Sequence, residues 1–593
     1  CQNSTATPRN SYPDTLLAVV RRIRYYRYFG QIFDGPPPPW TNSLSVSQTN
    51  SILSRDVGDS GLTIVVSRET IDRSQIMLQI RSIQRQSFAN WTMVFVNAGG
   101  ATELQDIVRG VAAADPRVRC NVSDSGNIAH EINTILERVT DQFVALLDQD
   151  TVLNQDALTW LVDAWNHQPA AEWFYGDAMW MDENNTLSKG QFRPAFSREF
   201  LYSQMWLNGF CVYSTRLLRQ LSGISAEAGK EYLYDLALRA ADELHQQCIV
   251  HIPRPLHIQQ GDCRHPNVMT DDAIACISRA LDRRGISATV APHTDRSGIA
   301  EIQFRLDRQP SVAIFIATRD SADLVKCCIA SIRARTRYPN YRIVVIDNQS
   351  TQPELKEYLD LEVRKGAINV FPFDEPFKHS RMHNLAMAHY ECEYAVLLNN
   401  DVELISDKWL EQMVATAETD TTVAGVGCLL LYPDGDIQHA GVIPGLLGAA
   451  GHVFRGQDPT KQTPLERAVC LQELSACTAA MLLLRMSAWR QVNGFRPDRY
   501  PDSFNDVDLW IRLRKAGFRC LYNPAVRAIH YESRTRPLVS EREREFARRL
   551  REDWPNELSS DPFSNPNLSL NNEHLLGFRE VTFVQQRVSA RAA

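Results

Sequence analysis

An internal repeat constrains the fold of this 593-residue chain more than any other feature. Short β-branched runs at Thr63–Val66 and Ala313–Ile316 are each followed by a polar cluster and by apolar residues at helical spacing. Further along, two apolar runs end in the acidic sequences FVALLDQD and YAVLLNND. Asp150, at the end of the first of these runs, lies 86 residues after Ile64, and Asp401, at the end of the second, lies 87 residues after Ile314. We therefore predict two tandem copies of one domain.

Within each copy, strand and helix patterns alternate. Helices are predicted over 71–86 and 321–336, and second strands over Thr92–Asn97 and Arg342–Asp347. This alternation predicts α/β domains with mostly parallel sheets, in the manner of Rossmann-like folds. Such sheets bind their ligands beyond the carboxyl ends of the strands, so the site is expected at that edge.

Polar side chains follow the predicted strands of the second copy and should share that edge: Thr318, Asp320, Asp347, Asn399 and Asp401. Carboxylate and amide oxygens after a buried strand are suitable ligands for Mg²⁺ or Mn²⁺, together with substrate phosphates. Acidic residues also end strands in ordinary turns, so the Asn-x-Asp sequence alone leaves both interpretations open.

The sequence FNDVDLWIRLRKAG predicts a helix near the end of the second copy. Asn505 or Asp506 suits its N-cap, and Gly517 suits its end. Asp506 is therefore either a capping residue or a functional carboxylate. His530 follows a strand-like stretch at Ala525–Ile529 and is either a structural histidine or a third metal ligand.

In this order, the segments resemble the inverting family 2 glycosyltransferases, which have the GT-A fold. The resemblance covers residues 311–536. Residues 475–485, followed by Asn493-Gly494-Phe495, resemble the segment that lines the acceptor pocket in this family. The sequence QHAG at 438–441 recurs in members that assemble polysaccharides.

The resemblance implies roles for particular residues. A cation neutralises the departing diphosphate, and a carboxylate takes the proton of the acceptor hydroxyl. The family has Glu where this chain has Asn505, so different pKa tuning of the base is expected. The implied groups are a divalent ion (Mg²⁺ or Mn²⁺) held by Asp401 and His530 with Asn399, donor nucleotide contacts from Thr318, Asp320, Asp347 and Asn399, and Asp506 as the catalytic base.

The first copy resembles the family less closely. Asp148 and Asp150 retain the DxD pattern, and Asp235 stands where a base is expected, so these residues form a second candidate site. Asn97, however, replaces the expected nucleoside-binding Asp. The first copy is therefore either a second transferase with altered donor selection or a non-catalytic copy that binds carbohydrate.

Composition narrows the remaining classes of function. The net charge of −7 argues against a nucleic-acid partner, and no apolar run reaches the roughly 18 residues of a membrane helix. The 13 cysteines include no CxxC pair, which favours reduced thiols and the cytoplasm. Arg21, Arg22, Arg24 and Arg27 alternate with aromatic residues, so this segment is either packed on a domain or peripheral on the inner face of the membrane.

We therefore expect a glycosyltransferase that builds a surface polysaccharide such as O-antigen. Its donor is a nucleoside-diphosphate sugar, with TDP-rhamnose favoured, and its acceptor a saccharide or lipid-linked saccharide. A polymerase with two active sites and a carbohydrate-binding scaffold are the alternatives; a nucleotidyltransferase would need a Gly-rich phosphate loop that neither copy carries. The predicted domains are 1–60 (preface and Pro-rich linker), 61–300 (first GT-A-like domain), 308–555 (second GT-A domain) and 556–593 (C-terminal tail).

Overall fold

A computed structural model describes residues 44–54, 61–97, 102–122, 125–181, 187–260, 268–531 and 541–575. The basic segment Arg21–Arg27 and the proline run at 36–39 lie outside the described residues. Before the first repeat, helix α1 (Val46–Leu53) begins with a capping box in which Ser45 accepts a hydrogen bond from the Gln48 backbone.

The first repeat is an α/β domain closed by a β-hairpin that leads into the second repeat. Its helices are α2 (Arg73–Gln84), α3 (Thr102–Ala112), α4 (Ile128–Arg138), α5 (Ala157–His167), α6 (Arg198–Ser203), α7 (Thr215–Gln220), α8 (Tyr232–Glu243) and α9 (Asp271–Arg283). Its strands are β1 (Leu62–Ser67), β2 (Trp91–Asn97), β3 (Val118–Val122), β4 (Phe143–Leu147), β5 (Thr151–Leu153), β6 (Trp173–Met181), β7 (Leu187–Gln191), β8 (Phe210–Ser214), β9 (Ile249–Gln260), β10 (Ala288–Pro292) and β11 (Ala300–Phe304).

The second repeat has the same plan, followed by C-terminal helices. Its strands are β12 (Val312–Thr318), β13 (Tyr341–Asp347), β14 (Asn369–Pro372), β15 (Tyr394–Asn399), β16 (Val402–Leu404), β17 (Val423–Leu431), β18 (Ile437–His439), β19 (Val442–Pro444), β20 (Ala450–His452), β21 (Gln472–Leu474), β22 (Met481–Arg485) and β23 (Arg519–His530). Its helices are α10 (Ala322–Arg335), α11 (Pro353–Arg364), α12 (His379–His389), α13 (Trp409–Glu418), α14 (Met486–Gln491), α15 (Asn505–Lys515), α16 (Glu541–Asp553) and α17 (Pro555–Ser559).

The two main sheets have matching strand orders. The first runs β3-β2-β1-β4-β8-β6-β9-β5 and the second β14-β13-β12-β15-β22-β17-β23-β16. In each, the first four strands are parallel, and the remainder mixes parallel and antiparallel pairs. The prediction of two tandem α/β domains of the GT-A type is confirmed.

The predicted helix at the end of the second repeat is α15, but its start differs from the expectation. Its N-cap is Phe504, in the left-handed region at φ 57°, and the side chain makes no capping hydrogen bond. Asn505 and Asp506 therefore lie inside the first turn, so their prediction as the N-cap is wrong. Gly517, at φ 87°, follows the end of the helix as expected.

The hydrophobic core is continuous between the repeats. One buried cluster combines Val152 and Met179 of the first repeat with residues of the second sheet and with Leu558. At the same interface, Arg519, whose side chain is 15% exposed, donates to two buried carboxylates, Glu473 at 2.9 Å and Glu199 in the first repeat. Burial raises the pKa of Glu473, whereas Arg519 holds the pKa of Glu199 below its ordinary value.

Replacing Arg519 by methionine is expected to destabilise the folded chain by about 3–5 kcal/mol, because two buried carboxylates would lose their shared cation. Urea unfolding followed by tryptophan fluorescence measures the effect. Arg335→Met, which removes an exposed ion pair with Asp407, is the matched control and should leave the midpoint nearly unchanged. Equal midpoints for the two variants would contradict a stabilising role for the interface triad.

The C-terminal segment beyond α17 returns to the first repeat. Asn565 Nδ2 donates to both carboxylate oxygens of Asp177, at 2.9 and 3.0 Å, and His251 Nε2 lies 2.9 Å from Asp177 Oδ1. Asp177 and Asn565 are both buried. The segment therefore ties the two repeats together through polar contacts as well as through the shared core.

The described residues also bear on two predictions from the sequence, one about membrane-crossing helices and one about the cysteines. Among the helices found there, none combines the length and apolar character that crossing a bilayer requires. The cysteines in the described part of the chain are free thiols, most of them buried.

Candidate functional site

The strand order of the second sheet brings the predicted polar residues to one edge. Strands β13, β12 and β15 are adjacent and parallel, with Thr318 paired to Asp347 and Ala317 paired to Asn399. The carboxyl ends of these strands therefore lie side by side. Asp401 follows two residues after Asn399, in the turn before β16.

His530 joins this edge because of an antiparallel pairing. Strand β16 pairs with the end of β23, which sets Val402 opposite His530. As a result, His530 Nε2 lies 3.3 Å from Asp401 Oδ1 and 3.3 Å from Asn399 Nδ2. The structure thus brings together the three side chains that the sequence suggested as metal ligands, although 129 residues separate Asp401 from His530.

The chemistry of this trio suits a divalent ion that also binds substrate. A carboxylate, an imidazole nitrogen and an amide oxygen are donors that Mn²⁺ accepts. The His530 side chain is only 5% exposed, and its Nδ1 has no hydrogen-bond partner among the described residues. Those residues contain no group of three or more His, Cys, Asp or Glu side chains able to hold a metal by themselves. An ion here would need further ligands, which substrate phosphates supply.

Thr318 and Asp320 make hydrogen bonds that organise the edge itself. Buried Thr318 donates through Oγ1 to the Asp320 carbonyl at 2.9 Å. Asp320 Oδ1 accepts from the backbone N–H of Thr351 at 2.6 Å and of Gln352 at 2.9 Å, just before α11. These hydrogen bonds, first that from Gln352, lower the pKa of the Asp320 carboxyl. Both residues therefore fix the loops around the site.

Asp347 is the last residue of β13, and its Oδ1 accepts a hydrogen bond from Ser350 N at 3.0 Å. The next residue, Asn348, is buried and donates through Nδ2 to the carbonyl oxygens of Phe373 and Glu375. These contacts hold the loop before α12 against the edge. Asp347 is therefore half-buried beside Thr318, in the position where the sequence expects a nucleoside contact.

Asp506 lies in the first turn of α15, next to the segment whose Ala480 carbonyl accepts a hydrogen bond from Asn399 N at 2.9 Å. Its Oδ1 accepts from Val507 N at 2.8 Å, and its Oδ2 accepts from Ala479 N at 3.2 Å. Burial raises the pKa of the Asp506 carboxyl, whereas these N–H groups and a protonated His452 oppose the rise. A carboxylate with a raised pKa is a stronger base than an ordinary aspartate, so this geometry suits proton abstraction.

Asn505, which replaces the expected glutamate, anchors the start of α15. It is buried, and its Nδ2 lies 3.0 Å from His379 Nδ1 and 3.3 Å from Ser380 Oγ on α12. Burial and the neighbouring His383 keep the pKa of His379 well below its ordinary value. The neutral ring can accept the amide hydrogen, so Asn505 fixes the position of Asp506 without adding a charge.

Two histidines, to which sequence reasoning assigned no role, lie between His530 and Asp506. The rings of His439 and His452 make an edge contact at 4.8 Å, and His452 Nδ1 lies 3.1 Å from the Gln438 carbonyl. Burial, His452 and His530 all lower the pKa of His439. The QHAG sequence pointed to His439, whereas His452 arrives from the far strand of the β19–β20 hairpin and carries no sequence signal.

In the first repeat, Asp148 and Asp150 follow β4 as the sequence predicted. Asp148 Oδ2 accepts a hydrogen bond from Gly209 N at 3.1 Å, and burial raises the pKa of Asp148 to about 6. Burial also raises the pKa of Asp150, against the opposing effect of Arg68. The two carboxylates therefore lie together at the edge of the first sheet, beside a positive charge of the chain itself.

Asp235 lies in a different place from the one that the resemblance implied. Its Oδ2 accepts from Arg239 Nε at 2.6 Å, one turn along α8. The same arginine donates to the carbonyl oxygens of Leu221 and Gly223. Asp235 is therefore fully engaged in holding a turn against its helix.

The same arrangement recurs in the second repeat around buried Asp508. Arg512 donates to Asp508 Oδ2 at 2.9 Å and to two carbonyl oxygens of the turn at 492–494. Asp235 is thus the counterpart of Asp508 and not of Asp506. The prediction of Asp235 as the counterpart of the base is therefore wrong by two residues. The DxxxR pattern that starts at Asp235 in one helix starts at Asp508, and not at Asp506, in the other.

Comparisons with known proteins agree with the tandem arrangement. The family model described as glycosyl transferase family 2 matches residues 76–220 and 313–490. An uncharacterized protein, y4gI, of Sinorhizobium fredii is 30% identical over 538 residues, covering 86% of this chain and 58% of that protein. The O-antigen biosynthesis protein RfbC of Myxococcus xanthus is 29% identical over 517 residues, covering 84% of this chain and 40% of that protein.

A third relative matches a shorter part of the chain. The rhamnosyltransferase WbbL of Escherichia coli K12 is 25% identical over 232 residues, covering 37% of this chain and 83% of that protein. By contrast, this chain spans 58% and 40% of the lengths of the first two relatives.

Proposed function

This chain belongs to glycosyl transferase family 2, and we propose that its second repeat transfers a sugar from a nucleoside-diphosphate donor to a saccharide acceptor. The observation that carries the proposal is that Asn399, Asp401 and His530 meet at one sheet edge, with Asp506 hydrogen-bonded to Ala479, the neighbour of the Ala480 that accepts from Asn399 N. The first three side chains suit a cation that binds the donor, and Asp506 suits removal of a proton from the acceptor.

The donor side of the site is built from the ends of β12, β13 and β15. Asp401 and His530, with the Asn399 amide, would hold a divalent ion. When bound, such an ion neutralises charge on the leaving diphosphate. Asp347 lies at the end of the neighbouring strand, where it would contact the nucleoside. The hydrogen bonds of Thr318 and Asp320 fix the loops at that edge.

The acceptor side depends on Asp506. A sugar hydroxyl is a weak nucleophile near pH 7, so a positioned carboxylate must take its proton as the new bond forms. Asp506 has the raised pKa that this step favours, and Asn505 and the Ala479 N–H fix its position. One base and a stabilised leaving group are sufficient for a single displacement, which inverts the anomeric centre.

The biological setting of this reaction is part of the proposal. Relatives named for O-antigen biosynthesis and rhamnosyl transfer favour a surface polysaccharide as the product and TDP-rhamnose as the donor. We place the acceptor, a growing or lipid-linked saccharide, at the cytoplasmic face of the membrane.

The test is donor turnover. The purified chain, with Mn²⁺ and TDP-rhamnose, UDP-sugars or GDP-mannose in turn, is expected to release nucleoside diphosphate from one donor when a saccharide acceptor is present. Proton NMR of the product should show inversion at the anomeric carbon. Retained configuration would contradict the single-displacement mechanism, and release of no nucleoside diphosphate from any donor would contradict the transferase proposal.

The raised pKa of Asp506 predicts the pH dependence of this turnover. Asp506 must be ionised to accept a proton, so kcat/KM should fall as the pH drops through the raised pKa, at a higher pH than for an ordinary aspartate. Because protonated His452 lowers the pKa of Asp506, His452→Gln should move this acid limb to higher pH. A pH profile of kcat/KM for both proteins measures the shift, and a shift to lower pH would contradict it.

A further inference from the structure

We infer that the first repeat, although it retains the acidic turn, binds no divalent ion there and transfers no sugar. The inference rests on the proposed function of the second repeat, which supplies the working arrangement for comparison. The two sheets can be compared residue by residue because their strands pair in the same order and register.

The acidic residues of the turn are preserved between the repeats. Strand β1 sets Leu62 opposite Phe143, just as β12 sets Val312 opposite Tyr394. Counting along β4 and β15 from these pairs makes Asp148 the counterpart of Asn399, and Asp150 the counterpart of Asp401. The first repeat therefore retains the oxygen ligands that follow the strand.

The histidine and the base are not preserved. Thr151 of β5 lies opposite Gln259, at the position where Val402 of β16 lies opposite His530. At this position the first repeat thus has an amide in place of the imidazole. Of the two groups, the imidazole is the better ligand for Mn²⁺ or Zn²⁺. Since Asp235 corresponds to Asp508, the counterpart of Asp506 is Leu233, a side chain that cannot accept a proton.

A buried arginine supplies the positive charge in the first repeat. Arg68 is the counterpart of Thr318, is 1% exposed, and lies close enough to Asp150 for their charges to interact. Its Nη1 donates to Gln79 Oε1 at 2.7 Å and to the Gln149 carbonyl at 3.1 Å. A guanidinium is always charged and cannot leave, so it neutralises the acidic turn permanently.

Hydrogen bonds between neighbouring side chains join the loop after β1 to the acidic turn. Gln149 Oε1 accepts from the backbone N–H of Glu69 at 3.1 Å and from Thr70 Oγ1 at 3.3 Å, which draws the loop after β1 onto the acidic turn. Tyr232, the counterpart of Asn505, makes a short hydrogen bond with Ser67 at the end of β1. Loop, turn and helix α8 are thereby joined where the second repeat has its donor edge.

What remains of the first repeat is a supporting surface. It supplies Glu199 to Arg519, close to the β21 and β23 strands of the second repeat, and Asp177 to Asn565 of the C-terminal segment. The same segment reaches the hairpin that carries His452, through a hydrogen bond from Leu447 N to the Leu570 carbonyl at 2.7 Å. The first repeat therefore holds the base side of the catalytic repeat in place.

The test is the number of Mn²⁺ ions bound by the full chain in the presence of UDP, TDP and GDP together, counted by electron paramagnetic resonance of free Mn²⁺. We expect one ion per chain, lost in Asp401→Ala and kept with the same affinity in Asp150→Ala. Asp150→Asn is a second variant in case the alanine variant does not fold, and circular dichroism checks the fold of each.

The possible results distinguish a failure of this inference from a failure of the proposed function. Two ions per chain, with one lost in each variant, would overturn the inference and leave the proposed function of the second repeat intact. A single ion that is lost in Asp150→Ala and kept in Asp401→Ala would overturn both.

Discussion

Replacement of Asp506 by asparagine is expected to lower kcat by about 10²–10⁴-fold, the usual contribution of a positioned general base. Asparagine has nearly the same shape, and its one oxygen can keep the hydrogen bond from Val507 N within the first turn of α15, so that turn should persist, whereas the hydrogen bond from Ala479 N would be lost. What it lacks is the ability to take a proton. Steady-state kinetics at saturating donor, with separate kcat and KM, measures the effect.

The expected signature of Asp506→Asn is a loss in kcat with little change in the affinity for the nucleoside diphosphate, because we propose that the residue acts on the acceptor. Asp498→Asn is the matched control: it removes an exposed carboxylate from the loop before α15 and should behave like the unchanged protein. A variant with normal kcat and a weakened donor affinity would assign Asp506 to donor binding and remove it as the base.

Replacement of Asp401 by asparagine is expected to lower kcat/KM by about 10³-fold. A bound cation contributes several kcal/mol of charge stabilisation, and each 1.36 kcal/mol corresponds to a factor of ten in rate. The amide keeps the volume of the carboxylate but not its charge, so the proposed ion would lose its anionic side-chain ligand. Calorimetric titration with nucleoside diphosphate and Mn²⁺ should show binding greatly weakened.

Asp407→Asn is the control for this experiment, because Asp407 is an exposed carboxylate six residues further on that pairs with Arg335. It should retain Mn²⁺-dependent binding. If Asp401→Asn bound nucleoside diphosphate as tightly as the unchanged chain, and Mn²⁺ made no difference to either, the metal site would have to be given up while Asp506 could still act as a base.

Asp401→Asn and Asp506→Asn should have different kinetic effects if one residue acts on the donor and the other on the acceptor. Asp401 belongs to the strand end that we propose as the donor side, whereas Asp506 belongs to a helix whose start is fixed by α12. Loss of Asp401 should therefore appear in donor affinity as well as in rate. Loss of Asp506 should appear in rate alone.

The fold was largely predictable from local patterns. Apolar runs such as Tyr394–Asn399 are buried along their length, and helices such as Ala322–Arg335 repeat their apolar residues every three to four positions. Both signals lie within a short window of sequence, so the strands, the helices and their duplication followed directly. The position of the acidic turns followed as well, since parallel strands end at a common edge.

The base assignments show where local patterns fail. Asp506 and Asp235 both lie near the start of a helix with similar sequence, and each is followed by an arginine of the same helix. Only the contact of Arg239 with the turn at 221–223 shows that Asp235 matches Asp508. A two-residue error along a helix turns a side chain by about 200°, enough to exchange a buried structural contact for the active-site face.

The sequence by itself determined two α/β repeats, the acidic turn that ends a central strand in each, and the helix that carries Asp506, because hydrophobic periodicity and strand ends are local properties. Tertiary structure alone decided that His452 comes close enough to Asp506 for their charges to interact, that Arg68 does the same with Asp150 in the first repeat, and that Asn565 reaches Asp177. The reason is physical: these contacts join residues that are far apart in the chain, and they depend on how complete elements pack. A pattern within a short segment of the sequence cannot predict that packing.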